Sequence, residues 1–109
     1  DHPHLSGWVG HGERSRPTVN VYGPVPTEVK LLDGVLLAAR ARTLREAGVR
    51  FDPAFAFDFY DLDFCRQCER AGLRMGTWPI AVTHESIGKG FNGPAWTEAR
   101  DVYLRKWGE

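Results

Sequence analysis

Apolar and polar positions change rhythm several times along this chain of 109 residues. Residues 1–18 (DHPHLSGWVGHGERSRPT) have little periodicity, and their glycines, histidines and prolines read as loop. VNVYG (19–23) is β-branched and aromatic, a strand broken by the PVP that follows. EVKLLDGVLLAAR (28–40) begins with alternation and passes into a continuous apolar run. Gly34 in its middle predicts a bend between two short strands, or a close backbone approach. TLREAG (43–48) predicts a short helix stopped by Gly48, with Thr43 and Glu46 spaced as a capping box.

VRFDPAFAFDF (49–59) is an aromatic-rich loop in which Pro53 excludes a helix. Helical spacing then runs over 60–71, and Gly72 supplies a stop. LRMGTWPIAVTHES (73–86) reads as strand, interrupted at Pro79 and resuming through IAVTH. IGKGFNGP (87–94) is a glycine-rich loop. AWTEARDVYLRKWG (95–108) is an amphipathic helix with Trp96, Ala99, Val102, Tyr103 and Trp107 near one face. The sum is an α/β chain whose second half alternates strands and helices.

The helix over 60–71 carries the densest chemistry. On a 3.6-residue period Asp61, Phe64, Cys65, Cys68 and Gly72 share one stripe. Cys65 and Cys68 therefore read as core, where apolar surroundings raise a thiol pKa and leave it inert. A redox CxxC would open a helix after a strand. A structural zinc site would need two tight ligand pairs, which His2, His4 and His11 do not provide. Asp61 and Asp63 lie in the first turn, where the macrodipole favours carboxylates by about 0.3–1 kcal/mol, and Asp58 before them is a candidate cap. A carboxylate on the buried stripe is costly unless paired or used. Asp61 is on that stripe, whereas Asp63 projects about 200° from it. His84 ends a strand and opens a flexible loop, a usual place for a site residue. Lys89 between Gly88 and Gly90 adds a cation and backbone N–H groups suited to phosphate.

Charge narrows the function. Fourteen basic residues balance fourteen acidic ones, which argues against nucleic acid as partner. No apolar run predicts a membrane span, and nothing at the N-terminus resembles a signal peptide. A pair of cysteines this close is no secreted disulfide framework, so the cytoplasm is the expected location. The only methionine is Met75, so the chain reads as processed or as a piece of something larger.

At this combination a family resemblance enters. LLDGVLLAARARTLREAGVRFDPAFAFDFYDLDFCRQCERAGLRMGTWPIAVTHES resembles the C-terminal half of family 2 glycosyltransferases of the GT-A fold. The shared order is a DG before an apolar strand, a helix, G-x-x-FD-x-x-F, an acidic helix start, a glycine ending that helix, and a strand ending in His. The acidic start usually reads Glu-Asp-x-Asp in that family. Here it is Tyr60-Asp61-Leu62-Asp63, so the Glu is replaced and both aspartates are kept.

The resemblance implies the C-terminal half of a mixed GT-A sheet with flanking helices, in one partial domain. Residues 1–27 would form a loop-rich acceptor-side segment and 28–109 the half catalytic domain. It implies a glycosyltransferase, inverting and metal-dependent, with Asp61 as catalytic base and His84 as ligand to Mn²⁺ or Mg²⁺. Asp33 and Gly34 would line the acceptor and sugar pocket, and Asp63 is expected to be substrate-binding as well. Closure of Lys89 over the donor diphosphate is our inference beside it. Partners would be a nucleotide-sugar donor and a saccharide or other hydroxyl acceptor, and self-association as a homo-oligomer is allowed. No DxD precedes Asp33, so the donor half is expected upstream and the fragment alone is expected to be inactive. A competing expectation is a non-catalytic carbohydrate-binding module, with Trp8, Trp78 and Trp96 as stacking platforms, although burial is expected of most of them.

The chemistry suits those residue types. A carboxylate within hydrogen-bond reach of an acceptor hydroxyl can remove its proton, and a divalent ion offsets the charge of a diphosphate leaving group.

Overall fold

The computed structural model describes residues 5–85 and 93–108. Their elements are β1 (Gly7–His11), β2 (Thr18–Gly23), β3 (Thr27–Val29), α1 (Ala41–Ala47), α2 (Tyr60–Arg70), β4 (Met75–Thr77), β5 (Thr83–His84) and α3 (Pro94–Trp107). Three helices and two small sheets give a mixed α and β architecture. The described residues form two compact units, 5–29 with 76–85 and 30–75 with 93–108.

In the first unit a three-stranded sheet has the order β2-β1-β5. β1 runs antiparallel to β2, with His11 opposite Thr18 and an irregularity between Gly7 and Trp8. It runs parallel to β5, with Gly10 opposite Thr83 and His11 opposite His84. The expectation of loop over residues 1–18 is thus corrected at β1. Gly10 of β1 and Gly23 of β2 serve close approach: a Cβ at Gly10 would lie 3.0 Å from the Pro17 Cβ, and one at Gly23 would overlap the Leu5 carbonyl. Composition reads such glycines as loop, whereas here they let neighbouring backbone pack against strands.

β2 confirms the strand expected over 19–23, but Val19 and Val21 remain exposed. β3 pairs with β4 in the second sheet. A small polar knot supports that end: Ser6 and Thr77 hydroxyls meet at 2.6 Å, and the Thr27 N–H donates to Thr77 Oγ1 at 3.1 Å. The strand expected over 73–86 is reduced to β4 and β5, because Trp78 to Val82 follow no ladder around Pro79. Trp8 and Trp78 are also exposed, against the burial expected of most tryptophans.

The second unit is built around α2. Val49, Phe64 and Cys68 form its buried cluster, with Leu37, Leu44, Ala47, Leu73 and Met75 packed against it. Burying side chains such as Val49 and Phe64 contributes about 1.5–3 kcal/mol each. α1 ends at Gly48, whose φ of 70° suits glycine. Its N-cap is Arg40 with no side-chain bond, so Thr43 and Glu46 form no capping box: Thr43 already lies inside the helix. The second strand considered for the 28–40 run is also absent among the described residues, where β3 ends at Val29 and irregular backbone follows.

α2 matches the expected helix, and Gly72 follows it in the left-handed region. Its cap is Phe59, itself at φ 67°, with no side-chain bond; Asp58 is therefore not the cap. The aromatic loop before it is partly buried through Phe55, and Phe51 stacks on Phe64 at 4.8 Å. α3 takes Pro94 into its first turn, where the missing N–H costs nothing. Trp96 and Tyr103 pack on Phe59, with ring centroids 5.3 and 5.5 Å away. No described helix is long and apolar enough to cross a membrane.

Candidate functional site

The start of α2 brings three of the sequence-predicted residues together. Asp61 Oδ2 accepts the Gly34 N–H at 3.0 Å, and its other oxygen accepts the Leu62 N–H at 2.9 Å. The Tyr60 hydroxyl donates to the Gly34 carbonyl at 3.3 Å. Asp33 turns the chain there by accepting the Val35 N–H at 3.0 Å. A Cβ at Gly34 would run into the Tyr60 hydroxyl and ring end, so the close approach expected at Gly34 is real. The DG pair and the acidic helix start, 27 residues apart between Gly34 and Asp61, thus share one polar cluster.

Electrostatics mark the cluster as acidic. Burial pushes the Tyr60 phenol up, and the charges of Asp61 and Asp33 push it further. Tyr60 stays a neutral donor at physiological pH, which suits its bond to a carbonyl. Tyr60 therefore places a hydroxyl where it holds the Gly34 backbone.

Asp63 is differently placed from its expected orientation. It is 0 % exposed, the most buried carboxylate of the described residues, whereas Asp61 is half-buried. The reason is that α2 buries two faces. Cys65 and Cys68 occupy the stripe facing Leu32, Leu37 and Val49; Asp63 faces α3. Its oxygens accept Trp107 Nε1 at 3.0 Å, Gln67 Nε2 at 2.8 Å and Lys106 Nζ at 2.7 Å. Lys106 also bonds Asp52 Oδ2 at 2.7 Å. Burial pulls the Lys106 ammonium down, but its bonds to Asp52 and Asp63 outweigh that and hold it above its ordinary pKa. Three donors make Asp63 a built-in anchor of α3 on α2. Neither Lys106 nor Trp107 has a periodic signal pairing it with Asp63, which lies 43 and 44 residues before them, and this is why sequence reasoning missed the network.

The cysteines are buried, as expected: Cys65 is 0 % and Cys68 3 % exposed, and both are free thiols. Burial is the main cause that raises both pKa values. Cys65 is tied to Leu32, whose N–H points at its sulfur from 3.2 Å.

His84 belongs to the first unit and Asp61 to the second. His84 ends β5 beside His11, with ring centroids 5.8 Å apart. His11 Nδ1 faces Asn20 Oδ1 at 3.0 Å. Among the described residues no three His, Cys, Asp or Glu side chains gather around a common point. Imidazole nitrogen is a ligand type that suits Mn²⁺ of the two expected ions better than oxygen-seeking Mg²⁺. Lys89 and its glycine loop, like His2 and His4, lie outside the described residues. A shallow groove along α3, lined by Pro94, Thr97, Glu98, Asp101 and Arg105, contains none of the expected site residues.

Comparison of the chain with family models, with curated proteins and with solved structures gives no match.

Proposed function

We propose that this chain is the acceptor-side part of a family 2-like, GT-A-type glycosyltransferase, with Asp61 as the base that takes the proton of an acceptor hydroxyl. The observation that carries the reading is the bond between Gly34 and Asp61. It joins the two motifs on which the resemblance rests, the DG turn and the acidic helix start. Each Asp61 oxygen accepts one backbone N–H, and a carboxylate offers about four lone-pair sites, so both oxygens keep capacity for a hydroxyl. Fixed backbone donors also hold the carboxylate in one orientation, which proximity catalysis requires.

In this reading Tyr60 and Gly34 orient Asp61, Asp33 shapes the turn beside it, and Asp63 holds α2 rather than touching substrate. A divalent ion at His84 would supply charge compensation to the nucleotide diphosphate leaving group. The test, run on the chain joined to the donor half that this reading requires, is nucleotide release from nucleotide-diphosphate sugars with Mn²⁺ and a panel of hydroxyl acceptors. General-base removal typically costs 10²–10⁴-fold, so Asp61→Asn should lose at least about 100-fold in turnover while its circular dichroism is unchanged. Undiminished turnover in that variant would sink the assignment.

A second reading has its own observation. Trp8 is 49 % and Trp78 69 % exposed, and exposed indoles stack on sugar rings. As a carbohydrate-binding module the chain would bind saccharides without nucleotide or metal, and Trp78→Ala would abolish that binding. Nucleotide-dependent transfer rules this reading out.

A further inference from the structure

We propose that His11 and His84 together form a site for one divalent transition-metal ion, with His11 as a ligand that the family resemblance does not assign. The two residues are directly opposite in the parallel β1–β5 ladder. Opposed positions on neighbouring strands, about 4.7–4.9 Å apart, put their side chains on the same face of the sheet. Their rings lie 5.8 Å apart and tilted by 54°. A metal–imidazole bond of about 2.0–2.1 Å sets each ring centroid roughly 3 Å from a shared ion, so two such rings span roughly 5–6 Å. The observed separation falls in that interval.

The tautomer is also prepared. His11 Nδ1 donates to Asn20 Oδ1, which leaves the Nε2 lone pair of the neutral ring for a ligand. A ring nitrogen oriented through a bond on the other nitrogen is the usual support of a metal-bound histidine. Asn20 sits on β2 opposite Val9, so all three strands of the sheet contribute to the arrangement. Two imidazoles favour borderline ions such as Zn²⁺, Ni²⁺ or Mn²⁺ over Mg²⁺ or Ca²⁺. With no third side chain of the described residues gathered there, the other positions fall to water or to ligand oxygens. That is an open, exchangeable site rather than a structural one.

The inference rests on the first unit alone, and its success or failure leaves the role of Asp61 untouched. The full chain is titrated with Ni²⁺ or Zn²⁺ by calorimetry, without nucleotide or acceptor. One ion per chain is expected, with at least tenfold weaker binding in His11→Ala and in His84→Ala. Loss of an outer-shell partner typically costs about 10–100-fold, so Asn20→Ala should weaken binding about tenfold. A His2→Ala/His4→Ala variant should bind as the parent does. Absence of binding, or binding lost in that double variant and kept in His11→Ala, overturns the site. A readout on the unaltered chain guards against misfolded variants: substoichiometric Mn²⁺ should broaden the His11 and His84 imidazole resonances first. Broadening of His2 and His4 ahead of them overturns the proposal equally.

Discussion

Gly34 and Asp61 meet through a 3.0 Å hydrogen bond from the glycine N–H to the carboxylate, while Tyr60 closes the other side of the same residue through its carbonyl. Two consecutive side chains at the start of α2 thus hold Gly34 at both ends. The space where a Cβ would stand is filled by the tyrosine.

That geometry makes Gly34→Ala destabilising by about 1–3 kcal/mol, the usual size of overpacking. The damage comes from one neighbour, so it should depend on that neighbour. In a Tyr60→Ala background the same substitution should cost less than about 1 kcal/mol, giving a clear coupling in the double-mutant cycle. Urea unfolding of the parent, both single variants and the double variant measures it. Additive costs would show that the ring is not what excludes the methyl.

Asp63 gives the second prediction. Removing the Asp63 carboxylate leaves the Trp107 N–H without its acceptor, at about 1–3 kcal/mol, and takes from Lys106 one of its two carboxylates. Asp63→Ala should therefore cost more than Asp61→Ala, whose half-buried carboxylate is held by backbone donors. Trp107→Phe keeps the ring packing under Arg70, 4.4 Å above it, but removes one donor, for about 1–3 kcal/mol. Equal destabilisation by the two aspartate variants in urea would contradict this division of roles.

What the sequence made legible follows the range of the forces involved. The helices and the stops at Gly48 and Gly72 were readable because periodicity and caps are local: α2 and α3 run as expected, and both glycines stand at positive φ. The burial of Cys65 and Cys68 followed from the same stripe. β1 was hidden because Gly10 answers to Pro17 and Thr83, contacts absent from any local window. Asp63 was misjudged because one stripe was assumed, and α3 covers a second face of α2. Of the candidate cluster, Asp61 and Gly34 could be named, but not Tyr60 as the residue that clamps them. His11 could not be matched with His84 until β1 existed as a strand.

The thiols supply a third prediction. Both cysteines are buried and their pKa values are raised chiefly by that burial. Since the thiolate is the reactive form, the folded chain at pH 8 should react with a disulfide reagent at least about 100-fold more slowly than the urea-unfolded chain. Rapid native labelling of either cysteine would show that the α2 core opens readily.

The last prediction concerns acid and alkali. The hydrogen bond from Lys106 first, then the Ala54 N–H, lowers the Asp52 pKa from its ordinary 3.8. A lowered native pKa means that the folded state holds the proton less tightly, so the contribution is present above pH 3.8 and disappears as pH falls through the native value. Asp52→Asn should thus be less stable than the parent at pH 7 by about 0.5–1 kcal/mol, the scale of a largely surface pair. The two stability curves should converge towards pH 2. At the other end the signs reverse. The thiols, normally near 9.0, and Lys106, normally near 10.5, have raised native values. Their contributions are complete below those ordinary values and fade as pH climbs through the native ones, so stability should begin to decline above about pH 9. Urea midpoints measured between pH 2 and 10.5 test both limbs; parallel curves in acid would remove the Asp52–Lys106 pair from the account.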